Sequence, residues 1–294
     1  AKETLEQIPS CDFVVRGEGE FILHDLITSL ATNKDLEQVR GIAYRQQHDK
    51  SIHVTQEADI IDHLDALPFP DRENLISHYR NKAYRSLLFG SPLDNVMTSR
   101  GCVYNCYFCS KVCIKYRSRS PEGIIKEIDW VVHNIHPQTI QIMDDSFTLE
   151  KDRCQRILEL MMEKQYDCKF RVRSRVDAVD DTLLKMMKKA GVDTVVYGFE
   201  SGSQNMLNRF NKRASVQQNV TACELTRKNR LNCFGDMMLF YPGETIDTLK
   251  ETEEFIKTAK PTLVWLHLLT PLPKTKVFED AKKNGTLMGA WKED

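Results

Sequence analysis

The sequence predicts an α/β protein built on a parallel β-sheet. From residue 96 onward, short apolar segments alternate with longer segments whose apolar residues recur at helical spacing. Each connection is long enough to contain a helix, which parallel neighbouring strands require. The alternation fits both a doubly wound sheet and an open barrel, and by itself it does not decide between them.

The elements of this region follow from their residues. Ser120 followed by Pro121 is typical of a helix start, because serine accepts a hydrogen bond at the N-cap and proline suits the first turn. Gly191 is typical of a helix stop. We therefore expect helices at 120–135, 150–165, 181–190, 215–229 and 244–259, and strands at 96–99, 139–143, 168–174, 194–199, 233–240 and 262–269.

A smaller segment precedes this region. Phe13–Val15 predicts a strand, and the apolar residues between 22 and 30 follow helical spacing. Segments 41–44 and 52–55 flank a polar turn, which indicates a hairpin. The prolines at 68 and 70 exclude a helix there and indicate an extended linker. The sequence therefore predicts a leading domain at 1–64, a linker at 65–92 and a main domain at 93–294.

Composition limits the classes of function. The 294 residues include 41 Lys and Arg against 42 Asp and Glu, a net charge of −1, which gives no electrostatic case for a nucleic-acid partner. No apolar run approaches the roughly 20 residues of a membrane-spanning helix. The first ten residues lack the apolar core of a signal peptide. Because residue 1 is not Met, we expect a piece of a longer chain.

The cysteines are unevenly placed. There are nine, and four of them lie between Cys102 and Cys113. A disulfide framework would spread them along a short secreted chain. The distribution instead predicts a reduced, cytoplasmic compartment and a metal site or reactive thiols.

Cys102, Cys106 and Cys109 follow the first predicted strand of the main domain with the spacing Cys-x3-Cys-x2-Cys. Three thiolates on one tight loop can bind three irons of a four-iron cubane cluster. The fourth iron then stays open, and an open coordination site permits chemistry. The loop after a parallel strand is also where α/β folds place their active sites.

Cys113 supports a competing hypothesis. It could complete a four-thiolate zinc site or a closed ferredoxin-like cluster, in which case the protein would be a zinc-structured binding protein or an electron carrier. Zinc cysteines usually come as two separated pairs. The bacterial ferredoxin run has different gaps and a proline. The spacing here favours the open cluster.

Basic residues alternate along the third predicted strand, at Lys169, Arg171, Arg173 and Arg175. Side chains two residues apart share one face of a strand, so in a barrel this row faces the lumen. The alternative is a solvated edge strand, since edge strands often carry Lys and Arg. A basic lumen requires anions as partners.

The cysteine spacing, with Phe108 at an aromatic position, resembles the radical S-adenosylmethionine (SAM) superfamily. Segments 142–148, 197–202, 241–245 and 270–275 resemble the family's later strand ends. With 17–20 and 67–70, they resemble the branch whose radical domain follows a cobalamin-binding domain. Two positions depart from that pattern. Phe240-Tyr241 precede a Pro-Gly-Glu-Thr turn where the family often has glycine, and Lys274 replaces the glycine of the last turn.

This resemblance implies an open (βα)6 partial TIM-type barrel, preceded by a fragment of a Rossmann-like cobalamin-binding domain. It implies a [4Fe-4S] cluster on the three cysteines, SAM at the open iron, and cobalamin. Phe108 would lie near the adenine, and Arg175 would bind the SAM carboxylate. Asp144 or Asp145 would accept from the amino group, and Glu200 would accept from the ribose or pair with Arg175. The two aspartates and Glu200 are also the anions expected inside the lumen.

The resemblance also implies the activity. The enzyme would cleave SAM reductively to a 5′-deoxyadenosyl radical, for cobalamin-dependent methylation of an unactivated carbon in a small molecule. The alternative within the family is an oxidative cyclase of the anaerobic tetrapyrrole type. An electron donor such as flavodoxin or ferredoxin and sensitivity to oxygen are expected with either activity.

Overall fold

The computed structural model describes residues 1–46, 48–75, 93–110 and 115–287. The chain forms two compact units, Ala1–Pro68 and Phe69–Asp294, which divide within the predicted linker. Residues 76–92 of that predicted linker lie outside the described residues. In the described part of the chain, no helix is long and apolar enough to cross a membrane.

The first unit is built on three antiparallel strands in the order β1–β2–β3. Strands β2 and β3 form the predicted hairpin, and helix α2 buries Ile22 and Leu26 in the unit's core. These strands are not a parallel Rossmann sheet, and the assignment of 1–64 to the end of a cobalamin domain stays a prediction. The elements are α1 (Lys2–Gln7), β1 (Phe13–Val15), α2 (Gly19–Ala31), β2 (Ile42–Arg45) and β3 (Ile52–Val54).

The second unit contains a six-stranded parallel sheet covered by helices. Its barrel strands are β4 (Leu93–Val96), β7 (Thr139–Ile142), β8 (Lys169–Ser174), β9 (Val192–Glu200), β10 (Asn232–Leu239) and β11 (Leu263–Leu268). A separate two-stranded ribbon joins β5 (Ser99–Arg100) to β6 (Arg117–Ser118). The helices are α3 (Pro121–Ile135), α4 (Lys151–Lys164), α5 (Asp181–Lys189), α6 (Gln204–Arg209), α7 (Val216–Lys228), α8 (Ile246–Ala259) and α9 (Lys276–Lys283).

The strand order decides between the two architectures that the sequence allowed. The order β4–β7–β8–β9–β10–β11 follows the chain. A doubly wound sheet would reverse its order at a switch point, whereas a barrel adds each strand beside the previous one. The sheet is therefore an open six-stranded barrel.

Helix α3 illustrates how the sequence builds the barrel's outer layer. The Ser120 hydroxyl accepts a hydrogen bond from the Gly123 N–H at 3.1 Å, which confirms the predicted N-cap. Ile124, Ile128 and Val131 lie one turn apart and are fully buried in the main core. The same core contains the outward-facing residues of the sheet, so the lumen is left to the opposite side chains.

The first barrel strand differs from the predicted 96–99. Strand β4 ends at Val96, because the N–H groups of Thr98 and Ser99 donate to the Asp144 carboxylate, at 2.7 and 3.0 Å, instead of to a neighbouring strand. Ser99–Arg100 then pairs antiparallel with Arg117–Ser118. The chain thus turns out of the barrel immediately before the cysteines.

Candidate functional site

The cysteine loop, residues 101–110, is held by segments that lie far later in the chain. Asn211 donates its side-chain N–H to the Asn105 carbonyl at 2.7 Å. The Tyr107 N–H donates to the Phe210 carbonyl at 2.9 Å, and the Tyr107 carbonyl accepts from the Val277 N–H at 3.1 Å. The loop is therefore fixed by the end of α6 and the start of α9.

The three thiols predicted to bind metal share one electrostatic environment. Cys102 and Cys106 are half-buried and Cys109 is exposed. Although part of Cys109 is exposed, the loss of water around its thiol raises the pKa to about 11, and the charges of Cys106, Asp145 and Cys102 contribute to that rise. Burial also raises the pKa of Cys106, while Lys212 and nearby Arg175 act in the opposite direction.

This donor set fits the implied cluster. Three neighbouring thiols can supply three thiolates, and the cations beside Cys106 offset the negative charge that cluster binding brings. Within the described ranges, no three His, Cys, Asp or Glu side chains are grouped as ligands of a single metal ion. Cys113 lies outside the described residues, so the four-thiolate hypothesis stays untested.

Phe108 links the cysteine loop to a small apolar cluster. Its ring meets the Phe210 ring edge to face, with centroids 5.7 Å apart. Edge-to-face contact is a favoured geometry for aromatic pairs. The cluster's other members are Met206, Leu207, Met238, Tyr241, Val216, Val277 and Leu269.

Asp144 is buried, and its carboxylate is occupied by the chain itself. Besides the two backbone donors, it accepts from the Ser99 hydroxyl at 2.7 Å and from the Thr98 hydroxyl. Burial raises its pKa, although these hydrogen bonds act to lower it. Asp144 therefore ties the end of β7 to the turn that leads into the cysteine loop.

Asp145, the next residue, is exposed and lies close enough to Cys109 to raise the pKa of that thiol. Asp145 and Ser146 do not cap the helix that follows them. Helix α4 begins after Glu150, and no side chain caps it. Of the two neighbouring aspartates, Asp145 is thus the carboxylate that faces solvent.

Arg175 is buried and makes contacts on three sides. It donates from Nε and Nη2 to both oxygens of Asp177, at 2.8 and 2.9 Å, and from Nη2 to the Lys212 carbonyl at 2.9 Å. Its Cζ atom lies 3.5 Å from the centroid of the Tyr104 ring. Although burial acts to lower it, the pKa of Arg175 is raised because Asp177 outweighs that effect. Arg175 is paired with Asp177 and not with Glu200.

Glu200 pairs instead with Lys212, which the sequence did not single out. Lys212 Nζ lies 2.8 Å from Glu200 Oε1, and both side chains are almost fully buried. Glu200 has a left-handed backbone with φ of 64°. A Cβ atom on Gly198 would lie 2.4 Å from Glu200 Oε1 and 2.8 Å from Lys212 Nζ, so glycine makes room for the pair.

The basic row lies on an internal strand, β8, so the edge-strand alternative is wrong. Arg173 Nη2 lies 3.4 Å from Asp236 Oδ2, and Lys169 Nζ lies 3.7 Å from Asp193 Oδ2. Asp193, Asp236 and Asp177 are thus carboxylate partners of Lys169, Arg173 and Arg175, respectively. They replace the anions expected from the sequence, because Asp144 binds the β4 turn and Glu200 binds Lys212.

Arg171, in the same row, is placed against aromatic rings. Its Cζ atom lies 4.9 Å from the Trp265 ring centroid and 5.5 Å from that of Phe234. Burial and the neighbouring Arg173 lower the pKa of Arg171 to about 10. The lumen wall thus combines cations with aromatic surface.

A cavity of about 520 Å³ opens at the other end of the barrel. Thr139, Lys169, Thr194 and Asn232 line it, at or near the amino ends of four strands. Barrel enzymes place their chemistry at the carboxyl ends, where the cysteine loop lies. The cavity is therefore separate from the candidate cofactor site.

Comparison with known proteins identifies the family. A family model described as the radical SAM superfamily matches residues 96–256, which is more than half of the chain. The chain belongs to the radical SAM superfamily. The superfamily predicted from the cysteine motif and the later segments is thereby confirmed.

Curated relatives cover nearly all of this radical SAM protein. It is 30% identical over 288 residues to "Uncharacterized methyltransferase PH0819" of Pyrococcus horikoshii, covering 97% of this chain and 61% of the relative. It is 29% identical over 290 residues to the anaerobic magnesium-protoporphyrin IX monomethyl ester cyclase of Cereibacter sphaeroides, covering 96% of this chain and 46% of the cyclase. The chain thus spans about half to three fifths of these relatives.

A solved structure supports the fold. The radical SAM methyltransferase TsrM from Kitasatospora setae, described with cobalamin and a [4Fe-4S] cluster bound, matches with a TM-score of 0.77 at 16% identity. The match covers 96% of this chain and 55% of TsrM. The predicted partial-barrel fold is confirmed. The three predicted cofactors are the [4Fe-4S] cluster and cobalamin, with which TsrM is described, and the SAM that the family description names.

Proposed function

We propose that this radical SAM protein binds a [4Fe-4S] cluster through Cys102, Cys106 and Cys109, binds SAM at the open iron, and methylates an unactivated carbon with the help of cobalamin. The observation that carries the proposal is the placement of the three thiols at the carboxyl edge of the barrel beside buried Lys212. When bound, the cluster and SAM supply the electron and the radical chemistry. The protein supplies position, charge and exclusion of water.

The acidic residues divide between binding and support. Asp145 is exposed near Cys109 and can accept from the SAM amino group. Asp144 is left with a supporting role, because four hydrogen bonds from Thr98 and Ser99 already use its oxygens. Glu200 can accept from the ribose hydroxyls through the oxygen that does not face Lys212.

The aromatic and basic residues also divide into one that contacts SAM and others that support the cysteine loop or the cluster. Phe108 lies on the cysteine loop and is half-buried, so its ring can cover the adenine. Arg175 was expected at the SAM carboxylate, but Asp177 and two carbonyl groups take its donors. We propose that Arg175 instead supports the loop through Tyr104, and that buried Lys212 supplies the positive charge next to the cluster.

Methyl transfer is favoured over ring formation by the relatives. The 30% identical relative carries the name methyltransferase, and the TsrM structure is of a methyltransferase described with cobalamin. The cyclase is the second candidate, since it is 29% identical over a similar range. A cytoplasmic location, sensitivity to oxygen and a flavodoxin or ferredoxin as electron donor belong to this proposal.

The experiment that tests the proposal is anaerobic reconstitution with iron and sulfide, followed by reduction with SAM and an assay for 5′-deoxyadenosine. We expect product from the wild type and none from Cys106→Ala. Cys168→Ala is the matched control, because Cys168 lies at the amino end of β8, far from the cysteine loop. Its product should equal that of the wild type.

Other results would contradict the proposal. Zinc bound in place of iron would favour the structural hypothesis. A stable cluster that forms no product in the presence of SAM would favour an electron carrier. Products formed by the active enzyme with added methylcobalamin then separate the two reactions. A product that carries an added methyl group indicates methyl transfer, and a product that has gained a ring indicates cyclisation.

A further inference from the structure

Three side chains from three barrel strands join inside the lumen. Asp236 on β10 lies between Arg173 on β8 and His267 on β11. Its Oδ2 atom is 3.4 Å from Arg173 Nη2, and its Oδ1 atom is 3.0 Å from His267 Nε2. We call these residues the lumen triad. The proposed cofactor chemistry uses none of them.

The lumen triad lies directly beside the cofactor residues. Strand β9 runs between β8 and β10, and Gly198 is the β9 residue level with Asp236. Gly198 is also where a Cβ atom would reach Glu200 and Lys212. The Glu200–Lys212 pair takes the space over Gly198 that a side chain would otherwise fill, so this pair lies beside the triad. A substrate against the triad would therefore lie next to a residue proposed to bind SAM.

The contact between Arg173 and Asp236 is a long one. Arg173 Nη2 lies 3.4 Å from Asp236 Oδ2, whereas a charge-assisted hydrogen bond is typically about 2.7–2.9 Å long. An ion pair held at this distance leaves the guanidinium able to take up an anionic ligand.

Exposure shows which members of the triad can meet a ligand. The Arg173 and His267 side chains are 44% and 58% exposed, whereas that of Asp236 is only 18% exposed. Asp236 therefore positions the other two side chains, and the Arg173 guanidinium and the His267 imidazole are accessible to a ligand. The Arg173 guanidinium presents a planar fork that matches a carboxylate or a phosphate.

We infer that the lumen triad is the substrate-recognition site of this enzyme and binds an oxyanion group, a carboxylate or a phosphate, on the substrate. Arg173 and His267 contact the anion, and Asp236 positions both. The inference rests on the proposed function, because that function says which reaction the bound substrate undergoes. Binding of the anion itself does not require the reaction to occur. It restricts the substrate to acidic molecules small enough to enter the barrel.

The test is calorimetric titration of the anaerobically reconstituted protein, saturated with SAM, with succinate in one arm and inorganic phosphate in the other. Saturation with SAM keeps the probes away from the open iron. We expect at least one probe to bind, and its identity separates a carboxylate site from a phosphate site. Arg173→Gln should weaken binding about tenfold, the worth of one hydrogen bond to a charged group.

Two further variants make the test specific. Asp236→Asn should tighten binding, because it removes the competing negative charge and keeps the shape. Arg156→Gln, on the outer surface of α4, removes one cation without touching the lumen and should change nothing. Loss of folding in one variant would not produce these opposite signs.

The inference is overturned if neither probe binds, if Arg173→Gln binds as the wild type does, or if Asp236→Asn weakens binding. Its failure is distinguishable from failure of the proposed function. If the wild-type protein binds an anion but forms no 5′-deoxyadenosine, the anion site is supported and the radical chemistry is refuted. If it forms 5′-deoxyadenosine but binds no anion, the radical chemistry is supported and the anion site is refuted.

Discussion

The guanidinium of Arg175 lies on the face of the Tyr104 ring, 3.5 Å from its centroid. Arg175 follows strand β8, and Tyr104 lies between the first two cysteines of the loop. A cation over an aromatic face is attracted by the ring's quadrupole, and the attraction grows when water is excluded. This contact joins the end of strand β8 to the cysteine loop, which must keep its shape when metal binds.

Replacing Arg175 by lysine keeps the charge but loses the planar fork. A single ammonium group could not pair with both oxygens of Asp177 while covering Tyr104, so we expect the free energy of unfolding to fall by about 1–2 kcal/mol. Bound iron after reconstitution should fall with it. Denaturant unfolding and an iron assay measure both, with exposed Arg156→Lys as the control. Unchanged iron binding would refute the supporting role of Arg175.

Asp144 and Asp145 should behave differently when each is changed to asparagine. Asp144→Asn places an NH2 group among the donors of Thr98 and Ser99, which should cost about 2–3 kcal/mol of stability. Asp145→Asn, at an exposed position, should change stability by under about 0.5 kcal/mol. It should instead weaken SAM binding about tenfold. Unfolding curves measure the stability of each variant, and equilibrium dialysis measures its affinity for SAM. Equal effects of the two variants would contradict a supporting role for Asp144 and a SAM-binding role for Asp145.

Gly198→Ala tests the space beneath the Glu200–Lys212 pair. The new methyl group would overlap both side chains, so the ion pair must move, at a cost of about 1–3 kcal/mol in stability. SAM affinity should fall as well, because Glu200 is displaced. Gly19→Ala is the control, since its methyl group would meet only Val15, at an ordinary 3.7 Å. A Gly198→Ala protein with wild-type stability would show that the pair is easily rearranged.

The two departures from the family pattern share a backbone feature. Phe240 and Lys274 have φ of 64° and 67°, the left-handed region that glycine adopts most easily. Lys274→Gly should therefore raise the free energy of unfolding by up to about 1 kcal/mol. The same change at exposed Lys250, inside helix α8, should lower it by about 1 kcal/mol. Thermal unfolding of the two variants checks the sign, and destabilisation by both would contradict this explanation.

Cys113→Ala separates the open cluster from a four-thiolate site. If three cysteines hold the cluster, iron content after reconstitution should stay at the wild-type level. A closed cluster or a zinc site would lose its metal with the fourth ligand. Cys109→Ala is the comparison variant, because it should lose metal under either hypothesis.

The order of helices and strands was predictable because hydrophobic periodicity is a local property. The strand order needed the structure, since alternation alone is shared by barrels and doubly wound sheets. The first strand was misplaced because Asp144, more than forty residues later, takes the N–H groups that a longer strand would use. No pattern within 93–100 carries that information.

The cysteines were predictable from spacing, but their polar surroundings were not. Lys212 lies in a basic stretch that is typical of a solvated turn, yet it is buried against Glu200. Asp236 reaches Arg173 across β9 because of the strand register. Register depends on how whole strands pair, and a single sequence with period two does not specify which charges meet.

The hydrogen bonds that hold the cysteine loop also order events during synthesis. Asn105 is held by Asn211, 106 residues later, and Tyr107 by Val277, later still. Domains generally fold as units while the chain is made from its N-terminus. The cysteines therefore leave the ribosome long before their supports exist. A nascent chain lacks the shaped loop, and delivery of iron and sulfide must wait until nearly the whole barrel has been translated.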